Sequence, residues 1–330
     1  MPKVSIVIPT YNRKKLVSRA LRSILKQTFS DFEIILIDDG STDGSKEVLQ
    51  EFASRDSRIK LISQENAGVG VSRHRGITES QAPFVAFLDS DDWWDEKYLE
   101  NQLGLLQDAP DDVVAVVCNG TAIEPDKPDV SLFEEVWYSP PSEPTVIDNP
   151  RELWEPFQVP YLQGSIFKRD ALVRMKAFSL HLSSDDDFET FVRMSFAGRF
   201  IVNPEHLWVQ DRGRDGGESF SGQTKLKPGF FEARCFAARF AFRHDHQKIL
   251  KKKDKQAYLK AYRSWLRALA AEKKYLQIIR LTPEVLSCGF HLKSVLFALL
   301  MLTGPLGSAL WETLSEVKAG NVNKPMVSKS

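Results

Sequence analysis

The first hundred residues alternate runs of consecutive apolar residues with stretches that are apolar at helical spacing. The runs predict four strands, at residues 4–10, 32–38, 59–63 and 84–89. The stretches between them predict helices, and residues 14–26 carry the clearest apolar helix face. Strands that are apolar on both faces and alternate with helices are typical of a parallel sheet covered on both sides. The pattern therefore predicts an α/β fold.

Beyond residue 105 the pattern changes three times. Residues 120–160 are rich in proline and acidic side chains and predict an irregular excursion or a lid. An acidic cluster at residues 182–198 precedes apolar residues at helical spacing, so the cluster is predicted to lie at a helix N-terminus, where the macrodipole favours negative charge. The glycine-rich residues 210–222 predict a mobile loop, and from about residue 225 the chain is predicted to be helical.

Three of the predicted strands end in polar clusters: "PTYNR", "DDGSTDGS" and "DSDDWW". In open parallel sheets, ligands bind beyond the carboxyl ends of the strands. We therefore expect these clusters to meet at one edge of the sheet and to form a binding site there.

The third cluster places Asp89, Asp91 and Asp92 directly behind an apolar run. Carboxylate oxygens suit a hard divalent cation, Mg²⁺ or Mn²⁺, and would leave coordination positions open for phosphate oxygens. Solvated acids that cap a turn are the alternative, and the residues alone leave both readings open.

The second cluster partly matches the start of an EF-hand loop, but Gln50 stands where that loop needs Glu, and a strand precedes it. Asp43 is predicted to cap the following helix. Asp39 is the better functional candidate, because a carboxylate at a strand end can accept an N–H from a nucleotide base.

The first cluster, "PTYNR", has no glycine and is not a P-loop. Its Tyr11 suits stacking on a base, although a proline-started loop before a helix is an equal alternative.

Composition narrows the classes of protein. Lys and Arg total 44, as do Asp and Glu, so the chain lacks the general basic field that attracts nucleic acid. The three cysteines form no CxxC pair, so we expect neither disulfides nor a zinc site, and the protein is predicted to lie in a reducing compartment. No signal peptide is expected at the N-terminus.

One apolar segment complicates this picture: residues 294–311 carry no charge and are interrupted by Gly304, Pro305 and Gly307. A membrane span, a buried helix pair and a helix lying on a membrane surface all stay open for this segment.

Four motifs resemble family 2 glycosyltransferases, in the same order and rough spacing: "VSIVIPTYNR", "IILIDDGSTDGS", "NAGVGVSRHRGI" and "FVAFLDSDDWW". The resemblance is strong over residues 1–105, weaker to about 222, and departs mildly at Ser72 and His74. It implies a GT-A fold, which is a Rossmann-like, mainly parallel sheet flanked by helices, here with a C-terminal helical extension. It divides the chain into a nucleotide-sugar-binding half (1–105), an acceptor-binding and catalytic-base half (106–222) and the extension (223–330).

The resemblance also implies roles for individual residues. Thr10, Tyr11 and Asp39 match positions that hold the base, Arg73 faces the nucleotide, and Asp89 points towards the ribose. The full nucleotide-binding set is Pro9, Thr10, Tyr11, Asn12, Arg13, Asp39, Arg73, Asp89 and Ser90. Asp91 matches the metal ligand of the family's DxD motif, with Asp89 and Asp92 as further ligands. "DDDFETFVRM" matches the stretch that carries the general base, with Asp187 as the base and Asp186 beside it. Arg212 and Arg214 are candidates for contacts with the diphosphate.

The implied activity is transfer of a sugar from a nucleotide-diphosphate sugar, expected to be UDP-linked, to a hydroxyl of a glycan or a lipid-linked acceptor. A single displacement assisted by Mn²⁺ or Mg²⁺ would invert the anomeric configuration. A non-catalytic nucleotide-sugar-binding module and a sugar-nucleotide pyrophosphorylase are the alternatives. We expect no nucleic-acid partner, a cytoplasmic location that includes the inner face of the cell membrane, and peripheral membrane contact through residues 285–312.

Overall fold

The computed structural model describes residues 1–135, 140–151, 160–178 and 186–213, together with the single residues Phe240 and Leu269. Arg214, the apolar segment 285–312 and nearly all of the predicted C-terminal extension lie outside these residues, so the predictions made for them stay predictions. Within the described part of the chain, no helix has the length and apolar character needed to cross a membrane.

The described residues form ten strands, seven α-helices and a short 3₁₀ turn at Leu162–Gly164. The strands are β1 (Val4–Thr10), β2 (Phe32–Asp38), β3 (Ile59–Ser63), β4 (Phe84–Phe87), β5 (Trp93–Trp94), β6 (Val113–Ile123), β7 (Val130–Ser131), β8 (Thr145–Ile147), β9 (Ser165–Lys168) and β10 (Arg199–Asp211). The helices are α1 (Val17–Leu25), α2 (Ser45–Arg55), α3 (Val69–Glu79), α4 (Tyr98–Gln107), α5 (Leu132–Glu135), α6 (Arg169–Met175) and α7 (Asp186–Met194).

All ten strands join one sheet, whose main path runs β3-β2-β1-β4-β9-β6-β10-β5. The first four strands of this path are parallel, as their apolar character predicts. β9 is antiparallel to both of its neighbours, β4 and β6, while β6 and β10 pair in parallel. Two short strands pair beside this path, β7 with β6 and β8 with β10.

Apolar clusters cover both faces of the sheet, as predicted. Ile6 and Ile8 of β1 pack with α1 and α4 on one face, while Val7 packs with α3, α6 and α7 on the other. Alternate residues of β1 thus belong to apolar clusters on opposite faces of the sheet, which explains why most residues of this strand are apolar.

Three of the four predicted strands have the predicted bounds. The fourth ends at Phe87, two residues early, because the chain turns there and the backbone N–H of Asp92 donates to the carbonyl of Asp89. The prediction that residues 120–160 are irregular was wrong in part. Residues 120–123 complete β6, and β7, α5 and β8 follow. Gln210 and Asp211, predicted to lie in a loop, are the last residues of β10.

Gly76 in α3 marks the closest approach of a helix to the sheet. A methyl group added there would lie 2.2 Å from Cγ1 of Val7, well inside van der Waals contact. We predict that Gly76→Ala lowers the free energy of unfolding by about 1–3 kcal/mol, because the buried sheet cannot give way. Gly104→Ala is the matched control in α4, since its methyl group would meet no atom within 4 Å. That change should stabilise the protein by about 0.4–1 kcal/mol. Equal effects of the two changes in denaturant unfolding would contradict the packing described here.

Candidate functional site

The polar loops that follow β1 and β2 are joined by hydrogen bonds at the carboxyl edge of the sheet, as the topology predicts. The backbone N–H of Asn12 donates to Oγ of Ser41 at 3.1 Å, and the N–H of Thr42 donates to Oδ1 of Asn12 at 2.8 Å. Asn12 has a positive φ of 52°, a conformation that asparagine tolerates better than most residues. Asp43 accepts the N–H of Ser45, the first residue of α2, at 2.9 Å. The N-cap residue of α2 is Gly44, which makes no side-chain cap, so the prediction that Asp43 caps this helix was wrong.

The residues at the end of β1 differ in exposure. Pro9 and Thr10 are buried, and no hydrogen-bond partner of the Thr10 Oγ1 is found among the described residues. Tyr11 is 46% exposed, although large aromatic residues are usually covered. A buried hydroxyl beside an exposed aromatic ring suits a ligand that offers both a polar edge and a flat face.

Asp39 is buried, and both of its carboxylate oxygens accept hydrogen bonds from the loop that precedes α3. Oδ1 accepts from Nε2 of Gln64 at 2.8 Å and from the N–H of Ala67 at 2.9 Å. Oδ2 accepts from the N–H of Gly68 at 2.9 Å. Each carboxylate oxygen has two lone-pair directions, so Oδ2 keeps the capacity to accept one further N–H.

The acidic turn after β4 brings three carboxylates together. Oxygens of Asp89, Asp91 and Asp92 all lie within 4.8 Å of one another. Asp89 is held by the buried Arg73, whose Nη2 donates to Oδ1 at 2.7 Å, and by Nε2 of Gln163, which donates to Oδ2. The intervening Ser90 is buried. Arg73 therefore orients Asp89 in this structure, and the sequence had predicted a role for Arg73 towards the nucleotide.

The electrostatics of this turn disfavour three negative charges. Burial, together with the charges of Asp89 and Asp211, raises the pKa of Asp91 to about 6, against the opposing effect of Arg13. Nε of Arg13 lies 3.7 Å from Oδ2 of Asp91. Burial, followed by the charges of Asp91 and Asp89, raises the pKa of Asp92 well above its ordinary value. A bound cation would stabilise the charged forms of Asp91 and Asp92, which burial and mutual repulsion otherwise disfavour.

The donor set fits a hard divalent cation. Three carboxylates offer oxygen atoms at a spacing that one ion can span, and no sulfur or imidazole ligand intrudes among the described residues of the cluster. Asp91 and Asp92 differ in exposure. The side chain of Asp91 is 22% exposed, whereas Asp92 is buried and its Oδ1 accepts the backbone N–H of Asp211 at 3.1 Å. Asp91 is the more accessible ligand of the two.

The residue predicted to be the general base lies at the start of α7. Asp187 occupies the first turn of α7, and its Oδ1 accepts the N–H of Phe188 at 2.8 Å. Asp186 is the first residue of that helix, and its side chain is outside the described part of the structure. Asp187 acts electrostatically on Tyr161, whose pKa is raised to about 12 by burial and then by Glu135 and Asp187, against the effect of Arg212.

Arg212 is fully engaged by protein groups. Its Nη1 and Nη2 donate to the two carboxylate oxygens of Glu135 at 2.6 and 2.5 Å, and Nε donates to Gln210 at 2.8 Å. Burial alone lowers the pKa of Arg212, but the hydrogen bonds to Glu135 outweigh it and raise the pKa overall. The sequence had predicted a contact between Arg212 and a diphosphate, and here its partner is a carboxylate.

Sequence reasoning missed three residues that surround the acidic turn: Gln163, Arg19 and Asp211. Gln163 contacts Asp89 across 74 positions of sequence, and Arg19 contacts Asp211 across 192. Gln163 and Arg19 lie outside the four motifs, and Asp211 lies in the stretch 210–222 that was predicted to be a loop, so no local signal singled out these three side chains.

Comparison with known proteins gives three further findings. The profile of the family described as Glycosyl transferase family 2 matches residues 5–172, about half of the chain. A putative glycosyltransferase, EpsH of Bacillus subtilis, is 40% identical over 121 residues, which are 37% of this chain and 34% of the relative. TuaG of the same organism, a putative teichuronic acid biosynthesis glycosyltransferase, is 38% identical over 108 residues, which are 32% of this chain and 43% of the relative. The matched part thus spans less than half of each relative.

Solved structures resemble the whole chain at low identity. TarS 1-349 from S. aureus, in complex with UDP-GlcNAc, has a TM-score of 0.63 and 18% identity, covering 98% of this chain and 93% of that one. The mannosyltransferase PcManGT from Pyrobaculum calidifontis, in complex with GDP-Man and Mn²⁺, has a TM-score of 0.50 and 18% identity, covering 96% and 88%. At such identities the likeness shows a shared fold.

Proposed function

This chain belongs to glycosyl transferase family 2 and has the GT-A fold, and on that premise we propose that it transfers a sugar from a nucleotide-diphosphate sugar to an acceptor hydroxyl. The observation that carries the proposal is the convergence of Tyr11, Asp39 and the acidic turn at one edge of the sheet. A flat base, a ribose and a charged diphosphate need those three chemistries in one place.

The nucleotide is held by the loops after β1 and β2. Tyr11 stacks on the base, and the spare lone pair of Asp39 Oδ2 accepts a pyrimidine N–H. Thr10 Oγ1 hydrogen-bonds to the same base. Pro9, Asn12 and Arg13 shape that loop. A UDP-linked donor is supported by the pyrimidine edge that Asp39 would recognise, and by TarS, a structural neighbour that was solved with UDP-GlcNAc.

Asp91, with Asp89 and Asp92, would hold the divalent cation, while Asp89 and Ser90 face the ribose. When bound there, Mn²⁺ or Mg²⁺ supplies positive charge that stabilises the leaving diphosphate. Mn²⁺ in the structurally similar PcManGT complex supports this choice of ion. Arg73 and Gln163 keep Asp89 in a fixed orientation through their two hydrogen bonds.

Asp187 would act as the general base. Its carboxylate removes the proton of the acceptor hydroxyl while that oxygen attacks the anomeric carbon from the face opposite the diphosphate. One displacement of this kind inverts the configuration. The position of Asp187 at the start of α7 keeps it anchored through the N–H of Phe188. The Tyr161 hydroxyl donates to Glu135, and the charge of Asp187 helps to raise the pKa of Tyr161. We therefore assign Tyr161 to the acceptor side of the proposed site.

The acceptor is a glycan or a lipid-linked sugar. The teichuronic acid relative TuaG supports a role in polysaccharide biosynthesis. We assign donor binding to residues 1–105 and the acceptor and base to residues 106–222, because the acidic turn lies in the first range and Asp187 in the second.

A panel of sugar nucleotides tests the donor class. The full chain is incubated with Mn²⁺ and each of several UDP-, GDP- and dTDP-sugars, and both thermal stabilisation and slow hydrolysis of the donor are measured. We expect UDP-sugars to raise the melting temperature and to be hydrolysed to UDP, since water replaces the missing acceptor. Stabilisation without hydrolysis or transfer would indicate a binding module and would contradict an enzyme. Formation of UTP and sugar 1-phosphate after pyrophosphate is added to the same mixture would indicate a pyrophosphorylase instead.

A further inference from the structure

Arg19 and Asp211 both contact the acidic turn, and both lie outside the four motifs that resemble the family. Arg19 is in the first turn of α1, and Asp211 is the last residue of β10. Nη2 of Arg19 donates both to the backbone carbonyl of Asp91 at 2.6 Å and to Oδ2 of Asp211 at 2.7 Å. This single guanidinium nitrogen therefore connects α1 and the end of β10 to the acidic turn.

Further contacts hold Arg19 and Asp211 in place. The guanidinium of Arg19 lies 4.0 Å from the centre of the Trp93 ring. The second carboxylate oxygen of Asp211 accepts the N–H of Gly213 at 3.1 Å, while its own N–H donates to Asp92. The side chain of Asp211 is completely buried. A buried carboxylate beside three others is costly unless a cation pairs with it, and Arg19 is that cation.

We propose that Arg19 and Asp211 are positioning residues that hold Asp91 and Asp92 in the geometry needed to bind the divalent cation. The inference rests on the proposed function only for the statement that a cation binds at this turn. Arg19 holds the backbone of Asp91, and the N–H of Asp211 holds the carboxylate of Asp92. Partners of this kind, one shell outside the ligands, typically change metal affinity by about 10- to 100-fold when they are removed.

The sign of the effect separates positioning from simple electrostatics. Arg19 is positively charged and lies close to the turn, so its charge alone repels a second cation. Removing the charge without any loss of geometry would therefore strengthen metal binding. Loss of positioning would weaken it. The two accounts predict opposite changes for one substitution.

The test measures Mn²⁺ affinity by calorimetry and electron paramagnetic resonance on the full chain, without nucleotide. Arg19→Met keeps the apolar cover over Trp93 and should weaken Mn²⁺ binding by about 10- to 100-fold. Arg19→Lys should recover most of the affinity, because an ammonium can donate to both acceptors. Arg22→Met is the matched control on an exposed position of the same helix and should leave the affinity unchanged. Arg19→Gln provides the same comparison if Arg19→Met does not fold.

Affinity for uridine in EDTA is the second readout and should be unchanged in every variant. Unchanged or tighter Mn²⁺ binding by Arg19→Met would overturn the proposal, and so would an equal loss of uridine affinity, which would make Arg19 a nucleotide contact. If the unaltered protein bound no Mn²⁺ at all, the proposed metal site itself would fail. The unaltered protein therefore distinguishes failure of the function from failure of this inference.

Discussion

Asp187→Asn is expected to reduce sugar transfer by about 10²- to 10⁴-fold, the usual contribution of a positioned general base. The amide is nearly isosteric with the carboxylate but cannot take a proton from the acceptor. Its carbonyl oxygen can still accept the N–H of Phe188, so the first turn of α7 should keep its structure. Transfer is measured under saturating donor and acceptor, and UDP affinity is measured separately by calorimetry. The loss should appear in kcat, with UDP affinity within about threefold of the unaltered protein.

Asp186→Asn is the matched control one residue earlier. It removes a charge from the same end of the same helix, so it reproduces any change in the local field. We expect it to keep most of the activity. Full activity of Asp187→Asn would show that the base lies elsewhere. A large loss in Asp186→Asn with little loss in Asp187→Asn would move the assignment by one position.

Asp91→Ala is expected to remove the metal dependence of nucleotide binding. Truncating one partner of a desolvated charge pair typically costs about 2–5 kcal/mol, so UDP affinity in Mn²⁺ should fall by roughly 30-fold or more. Without metal, the same change should leave UDP affinity unaltered and should not lower the melting temperature. The reason is that it removes one of three like charges that burial and mutual repulsion already disfavour.

Two comparisons sharpen the Asp91 experiment. The rise in melting temperature on addition of Mn²⁺, which mass action produces in the unaltered protein, should disappear in Asp91→Ala. Asp92→Asn should retain more of it, because Asp92 is buried and can still accept the N–H of Asp211. Metal-dependent UDP binding that survives Asp91→Ala but not Asp92→Asn would make Asp92 the main ligand.

The part of the fold built from β1 to β4 could be predicted from the sequence because its signals are local. The bounds of β1, β2 and β3 follow from their apolar runs, and the polar strand ends identify the carboxyl edge of the sheet, which carries Thr10, Asp39 and Asp89. These inferences need only the chain's periodicity and the geometry of parallel sheets.

The second half depends on contacts that no local pattern reveals. β9 inserts antiparallel between β4 and β6, and its register is set by pairing across the sheet. Gln163 reaches Asp89 only because a short turn before β9 places it there. The sequence predicted that Arg212 contacts a phosphate, but in the fold Arg212 pairs with Glu135. The strand ends therefore locate Thr10, Asp39 and Asp89 at one edge of the sheet, whereas the residues that tertiary packing brings to that edge were missed.

We propose that the acidic turn and the loops after β1 and β2 form one metal-dependent site for a nucleotide diphosphate. Calorimetric titration of the full chain with UDP, in Mn²⁺ and in EDTA, tests it most directly, with uridine as the reference ligand. We predict that UDP binds much more tightly in Mn²⁺ than in EDTA, where its affinity falls to that of uridine, and that uridine binding is indifferent to the metal. Equal affinity for UDP in the two buffers, or no binding in either, would contradict the account.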